Sequence, residues 1–142
     1  MIPKWQVFFL LNGRGDNLIK QWLKEEKVPK EQIAAFQDKI DTLELSGPDL
    51  VPGFISETPV APHIYKMKVK GNKGWKQLRP MCCKGPFSIG EYTVLLGAIE
   101  RDNKLPKNAK RDAQRLREEL IRDPARRRRE RLTGKPEKGV RG

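Results

Sequence analysis

The chain has 142 residues, enough for one compact domain plus a tail and too few for two ordinary domains. Hydrophobic residues are 37% and charged residues 34%, so the core is modest. The net charge of +12 and pI near 10.0 favour a polyanionic partner such as RNA, DNA or an acidic protein. The two cysteines, Cys82 and Cys83, are adjacent, which excludes a disulfide scaffold and fits a reducing cytoplasm.

The opening MIPKWQVFFLL is too short and too wet on its far side to span a membrane, and it lacks a cleavable signal pattern. Instead, Trp5–Asn12 is rich in aromatic and β-branched residues and precedes the turn-like GRGDN, which predicts a strand. Asp16 is the expected N-cap of a following helix that carries Leu18, Ile19, Trp22 and Leu23 at helical spacing. A second helix is expected from PKEQIAAFQDKIDTLEL, with Pro29 suited to its first turn. Its apolar positions Ile33, Phe36, Ile40 and Leu43 make it amphipathic and the second arm of a helical hairpin.

After a Pro/Gly-rich connector the period changes to two. HIYKMKVK puts Ile64, Lys66, Lys68 and Lys70 on one face of a strand and Tyr65, Met67 and Val69 on the other. GNKG supplies a turn, and WKQLRPMCC makes a second strand that ends or bends at Pro80. EYTVLLGAIE is the most apolar strand and the expected centre of the sheet. A helix then starts near Pro106, with Ala109, Ala113, Leu116 and Leu120 on one stripe, and stops or kinks at Pro124.

This order gives an α+β fold: a small antiparallel sheet packed against an N-terminal helical hairpin and a C-terminal helix. The expected division is a domain over 1–123 and a basic tail over 124–142. That tail is read as a helical extension through Arg126–Arg131 followed by disorder, or as disordered throughout. From Ile121 onward nine Lys and Arg face three acids, so this end holds half the net charge.

A single histidine, His63, and two cysteines without ligand spacing cannot assemble a zinc site; a Cys–His nucleophile pair exists on residue count alone and nothing in the sequence supports it. No phosphate-cradling glycine loop appears, and no paired carboxylates of hydrolytic type. What remains is a cationic strand face, with Arg79 on the neighbouring strand and Trp75 sharing its face as a base-stacking aromatic. The alternative is a solvated strand whose lysines discourage edge-to-edge aggregation.

The segment HIYKMKVKGNKGWKQLRP, followed by EYTVLLGAIERDNKLPKNAKRDAQRL, resembles the RelE/HigB superfamily of toxin–antitoxin ribonuclease toxins, especially its phage-derived HigB-like branch. Trp75-Lys76-Gln77-Leu78-Arg79 stands where that family has an aromatic-Glu-Leu-Arg strand. Leu95-Leu96-Gly97-Ala98-Ile99 stands where it has a Leu-His-Gly-Phe-like stretch. Arg101, Lys104, Leu105-Pro106 and Lys110–Arg117 match its basic residues, its Lys-Thr-Pro-like turn and its Ala/Arg-rich helix. The resemblance covers roughly residues 5–120.

It implies a RelE-like fold and a cytoplasmic, metal-free and cofactor-free endoribonuclease of a bacterial or phage-infected cell. Such an mRNA interferase cleaves messenger RNA, commonly on the ribosome, and is neutralised by a small helix-turn-helix antitoxin; no membrane is involved. By position it implies that Lys68, Arg79 and Arg101 stabilise the reacting phosphate; Tyr92, at the start of the apolar strand, is the candidate phenol by residue type rather than by position. Lys66, Lys70, Lys73, Trp75 and Lys104 are then RNA-binding neighbours. The chain departs from the family in having no arginine between Arg79 and Arg101, and in bracketing its apolar strand with Glu91 and Glu100. The alternative is a non-catalytic relative of phage origin that binds nucleic acid or a partner protein.

Overall fold

The aromatic run after Trp5 forms β1 (Gln6–Leu10), which leads through a tight turn into α1 (Leu18–Glu25) and α2 (Lys30–Ser46). A 3-10 turn at Pro48–Leu50 and a long connector precede β2 (Tyr65–Lys66). Then come β3 (Gln77–Leu78), β4 (Met81–Lys84), β5 (Glu91–Leu96), β6 (Ile99–Glu100), α3 (Ala109–Arg122) and β7 (Arg127–Arg128). The computed structural model describes residues 4–133. No described helix is long and apolar enough to cross a membrane.

The fold is α+β, with three helices among the described residues, but its five-stranded sheet is mixed rather than antiparallel. Its order is β2-β4-β5-β1-β7, and β1 runs parallel to β5 with Gln6 opposite Glu91 and Phe9 opposite Val94. Parallel neighbours need a crossover connection, and here the helical hairpin lies within it. As the sequence predicts, β5 is the central strand. A separate two-stranded sheet joins β3 to β6.

Strand alternation distributes the core to both faces. Val7, Phe9, Cys82, Tyr92 and Val94 pack with Ile19, Leu23, Phe36, Ile40 and Leu43 of the hairpin. Leu10, Ile64, Met81, Cys83 and Leu95 pack with Ala109, Ala113 and Leu120 of α3. The lysine-bearing side of the 64–70 segment is therefore not wholly outward: Ile64, which shares it, is buried in the α3 cluster.

Helix caps differ by one residue from the sequence reading. Asn17 caps α1, its side-chain oxygen accepting from the backbone N–H of Ile19 (2.9 Å) and Lys20 (3.1 Å). Asp16 instead belongs to the preceding turn, where its N–H and that of Arg14 donate to the Asn12 side chain. Pro29 is the N-cap of α2 rather than its first helical residue. Gly47 ends α2 at φ +89°, and a Cβ there would stand 2.9 Å from Nε1 of Trp5.

The basic C-terminal segment corrects the expectation of extended helix or disorder. Arg127 and Arg128 pair with Leu10 and Phe9 as an edge strand on β1. The Arg127 guanidinium lies 3.8 Å from the Phe8 ring centroid and 4.8 Å from that of Phe87, and its Nη1 is 3.0 Å from the Glu91 carboxylate. Arg129 pairs with Glu44 and Arg131 with Asp41. Burial of Glu130 opposes its ionisation, but hydrogen bonds from Lys20, Arg128 and Asn17 outweigh that and hold its carboxyl below the usual range. The rest of the expected tail, residues 134–142, lies outside the described residues.

Two substitutions test this packing. Arg127→Ala removes the counter-charge of the buried Glu91 carboxylate, leaving it only the Phe87 and Ser88 N–H bonds, and should cost about 3 kcal/mol in urea unfolding; a loss below about 0.5 kcal/mol would show that the strap contributes little. Gly97→Ala would set a Cβ 1.9 Å from Cδ2 of Trp22. It should lower stability by about 2 kcal/mol, whereas Gly13→Ala, with nothing within 4 Å, should be near neutral.

Candidate functional site

The segment 77–84 changes sheets at Pro80. Before it, β3 pairs with β6; after it, β4 pairs with β2 and β5. At the changeover the Arg79 N–H donates to the Ala98 carbonyl (2.8 Å). The side chain turns toward β6, where Nη2 donates to Glu100 Oε1 (3.0 Å) and Nη1 to the Leu78 carbonyl (2.9 Å). Lys66 approaches the other carboxylate oxygen, its Nζ 3.6 Å from Oε2. One carboxylate thus stands between two cations, one from β2 and one from the β3–β4 changeover.

The members differ in exposure. Arg79 is 5% exposed, and its Nε is buried without a partner among the described residues, so its fork is largely committed to Glu100 and Leu78. The Glu100 side chain is 16% exposed and reaches the surface. Immediately beyond it, Arg101 and Lys104 exchange backbone hydrogen bonds (3.0 and 2.9 Å) across Asp102 and Asn103. Both turn residues have left-handed φ, 52° and 63°, the pattern of a two-residue hairpin turn that Asp and Asn tolerate. The Arg101 and Lys104 side chains are exposed beside the Glu100 cluster.

Lys68 and Lys70 are also exposed, while Met67 and Val69 between them are buried, so the period-two reading holds here. Both lysines line a groove with Lys39 of α2, a residue the sequence reading did not select. A helical position among polar neighbours gives little signal for it; only the tertiary fold brings it to Lys68. Lys73 is exposed in the turn, and Trp75 is half-buried, its N–H donating to the Asn72 carbonyl (2.8 Å).

Tyr92 is not brought to this cluster. It lies at the opposite end of β5 from Leu96, four residues and about 13 Å away, whereas Arg79 bonds beyond Leu96 at Ala98. Tyr92 is 5% exposed and its ring stacks against Trp5, with ring centroids 6.3 Å apart. Burial, then the nearby Cys82 thiol, pushes its pKa above the usual value, which makes it a poorer proton donor. The sequence expectation of Tyr92 beside Arg79 is therefore corrected. Glu100, which the sequence marks as a departure from the family pattern, lies beside Arg79 instead.

Among the described residues, no group of three His, Cys, Asp or Glu side chains is arranged to hold a metal ion. Cys82 and Cys83 are buried on opposite faces of the sheet. Burial drives both thiols toward the neutral form, Cys83 to about 11 despite the nearby Arg117, and Cys82 further in the same direction. Neither should react with a thiol reagent in the native protein at pH 8, and both should in urea; rapid native labelling would overturn this placement. No protein-family model matches the chain, and no curated protein matches it significantly.

Proposed function

We propose that this protein is a RelE/HigB-like endoribonuclease that cleaves single-stranded messenger RNA without a metal, on the ribosome, and is held inactive by a small helix-turn-helix antitoxin. The observation that carries the reading is the Glu100 carboxylate held between Arg79 and Lys66, beside the exposed cations Lys68, Lys70, Arg101 and Lys104. The mixed sheet with a helical hairpin on one face and α3 on the other is compatible with a RelE-like arrangement.

In-line cleavage needs a proton acceptor for the RNA 2′-hydroxyl and positive charge around the crowded phosphorus. Glu100 takes the 2′-hydroxyl proton. The oxygen bonds to phosphorus, the bond to the 5′-oxygen breaks, and that oxygen takes a proton from solvent at this exposed edge. Arg79 and Lys66 hold and orient Glu100, while Lys68 and Arg101 bear on the pentacoordinate phosphate. Lys70, Lys73, Trp75 and Lys104 hold the flanking strand.

A second reading, a non-catalytic relative that only binds RNA or a partner, is favoured by one observation: the Arg79 fork is already engaged by Glu100 and Leu78. Induced expression of wild type and Glu100→Gln in bacteria, with mapping of message ends, separates the two. The wild type should arrest growth and cut messages; Glu100→Gln should lose cleavage by about 100-fold or more while binding RNA as before. Intact messages and normal growth with wild type would leave only the binding reading. Wild-type cleavage by Glu100→Gln would remove Glu100 as proton acceptor.

A further inference from the structure

Between α2 and the extended 68–70 segment that follows β2 lies a groove of about 400 Å³, lined by Lys39, Lys68 and Lys70 together with exposed Ala35 and Pro52. Its volume is in the range of sites that take a nucleotide-sized group. Both walls are anchored. The Lys68 N–H donates to the Phe54 carbonyl (2.7 Å), which fixes the 68–70 segment to the 52–54 segment. Phe54 in turn meets Phe36 of α2 edge-on, with centroids 6.2 Å apart. Lys39 follows Ala35 by four residues, so the two share one face of the helix.

The charge at this groove is one-sided. No carboxylate lines it, and among the described residues Lys39, Lys68 and Lys70 have no ion pair. Lys20, Lys66 and Lys76 of the same chain, by contrast, are each paired with a glutamate. A slot lined by three lysines without an ion pair and by small apolar residues suits a phosphodiester whose sugar lies against carbon.

We propose that this groove seats a flanking nucleotide of a bound single-stranded RNA, with Lys39 of α2 as a phosphate contact alongside Lys68 and Lys70. The proposal rests on the nucleic-acid reading above but not on cleavage. It extends the RNA track from the sheet edge onto the second helix, and it assigns to Lys39 a role that the strand pattern alone does not reveal.

The test measures binding of the full chain to a fully 2′-O-methylated, non-cleavable 12-nucleotide RNA by fluorescence anisotropy over a salt series. Lys39→Ala should weaken binding several-fold and make the log–log salt slope shallower by about 0.7, the value for one single-strand phosphate contact. Lys39→Glu should weaken it further. Lys24→Ala, an exposed lysine of α1 away from the groove, reports loss of charge alone and should change affinity little. Lys39→Ala behaving like Lys24→Ala, or weakening binding with the slope unchanged, would overturn the groove assignment while leaving RNA binding by Lys68 and Lys70 intact. Failure of the wild type to bind the RNA would overturn the nucleic-acid reading itself. Displacement of the RNA by poly-glutamate at equal charge concentration would assign the groove to an acidic protein instead.

Discussion

The local structure around the candidate site depends on the single bond between the Arg79 guanidinium and the Glu100 carboxylate. Pro80 has no N–H to give to a ladder, so the 77–84 segment cannot run on as one regular strand. It divides, and the two halves join different sheets. The discontinuity brings Arg79 to β6, where backbone and side chain both bond, to Ala98 and to Glu100. A buried guanidinium without such a partner would carry a desolvation cost of several kcal/mol. Glu100 offsets that cost and at the same time draws in Lys66 from β2.

That arrangement changes which groups are available to a ligand. A committed guanidinium acts through the carboxylate it orients rather than as a free fork for phosphate, because its planar donors are already matched in geometry. The carboxylate is held in place by two cations and still retains surface access. Direct charge on an incoming phosphate must come from side chains without such partners. In this region those are Lys68 and Lys70 in the segment after β2, and Arg101 and Lys104 across the two-residue hairpin turn.

The elements were legible in the sequence where period and side-chain chemistry agreed. β5 was visible as the most apolar strand, α2 through Phe36, Ile40 and Leu43, and the break at Pro80 through its missing donor. The parallel pairing of β1 with β5 was not legible, because strand direction depends on which distant partner a strand meets, not on its own alternation. Nor was the burial of Ile64 under α3, since a period of two identifies two faces without saying whether one or both are covered. At the site, exposure of Lys68 and Lys70 followed from alternation. The grouping of Glu100 with Arg79 and Lys66, the distance of Tyr92 and the approach of Lys39 are all long-range facts of packing.

The distribution of charge sharpens the same point. A tail with half the net charge resembles a nucleic-acid arm when counted as sequence. In the fold, Arg127, Arg128, Arg129 and Arg131 each meet a carboxylate, at Glu91, Glu130, Glu44 and Asp41, three of them on other elements. Glu91 at the start of β5 and Glu100 in β6 each fix an arginine against the sheet. Arginine suits that work because its rigid fork loses little freedom on meeting a carboxylate, whereas lysine is a flexible, strongly hydrated point charge. Arginines tie much of this chain together, and the unpaired cations lining the groove are lysines. A polyanion would then be met chiefly by the body of the fold, at Lys39, Lys68 and Lys70, rather than by the described part of the arginine-rich segment.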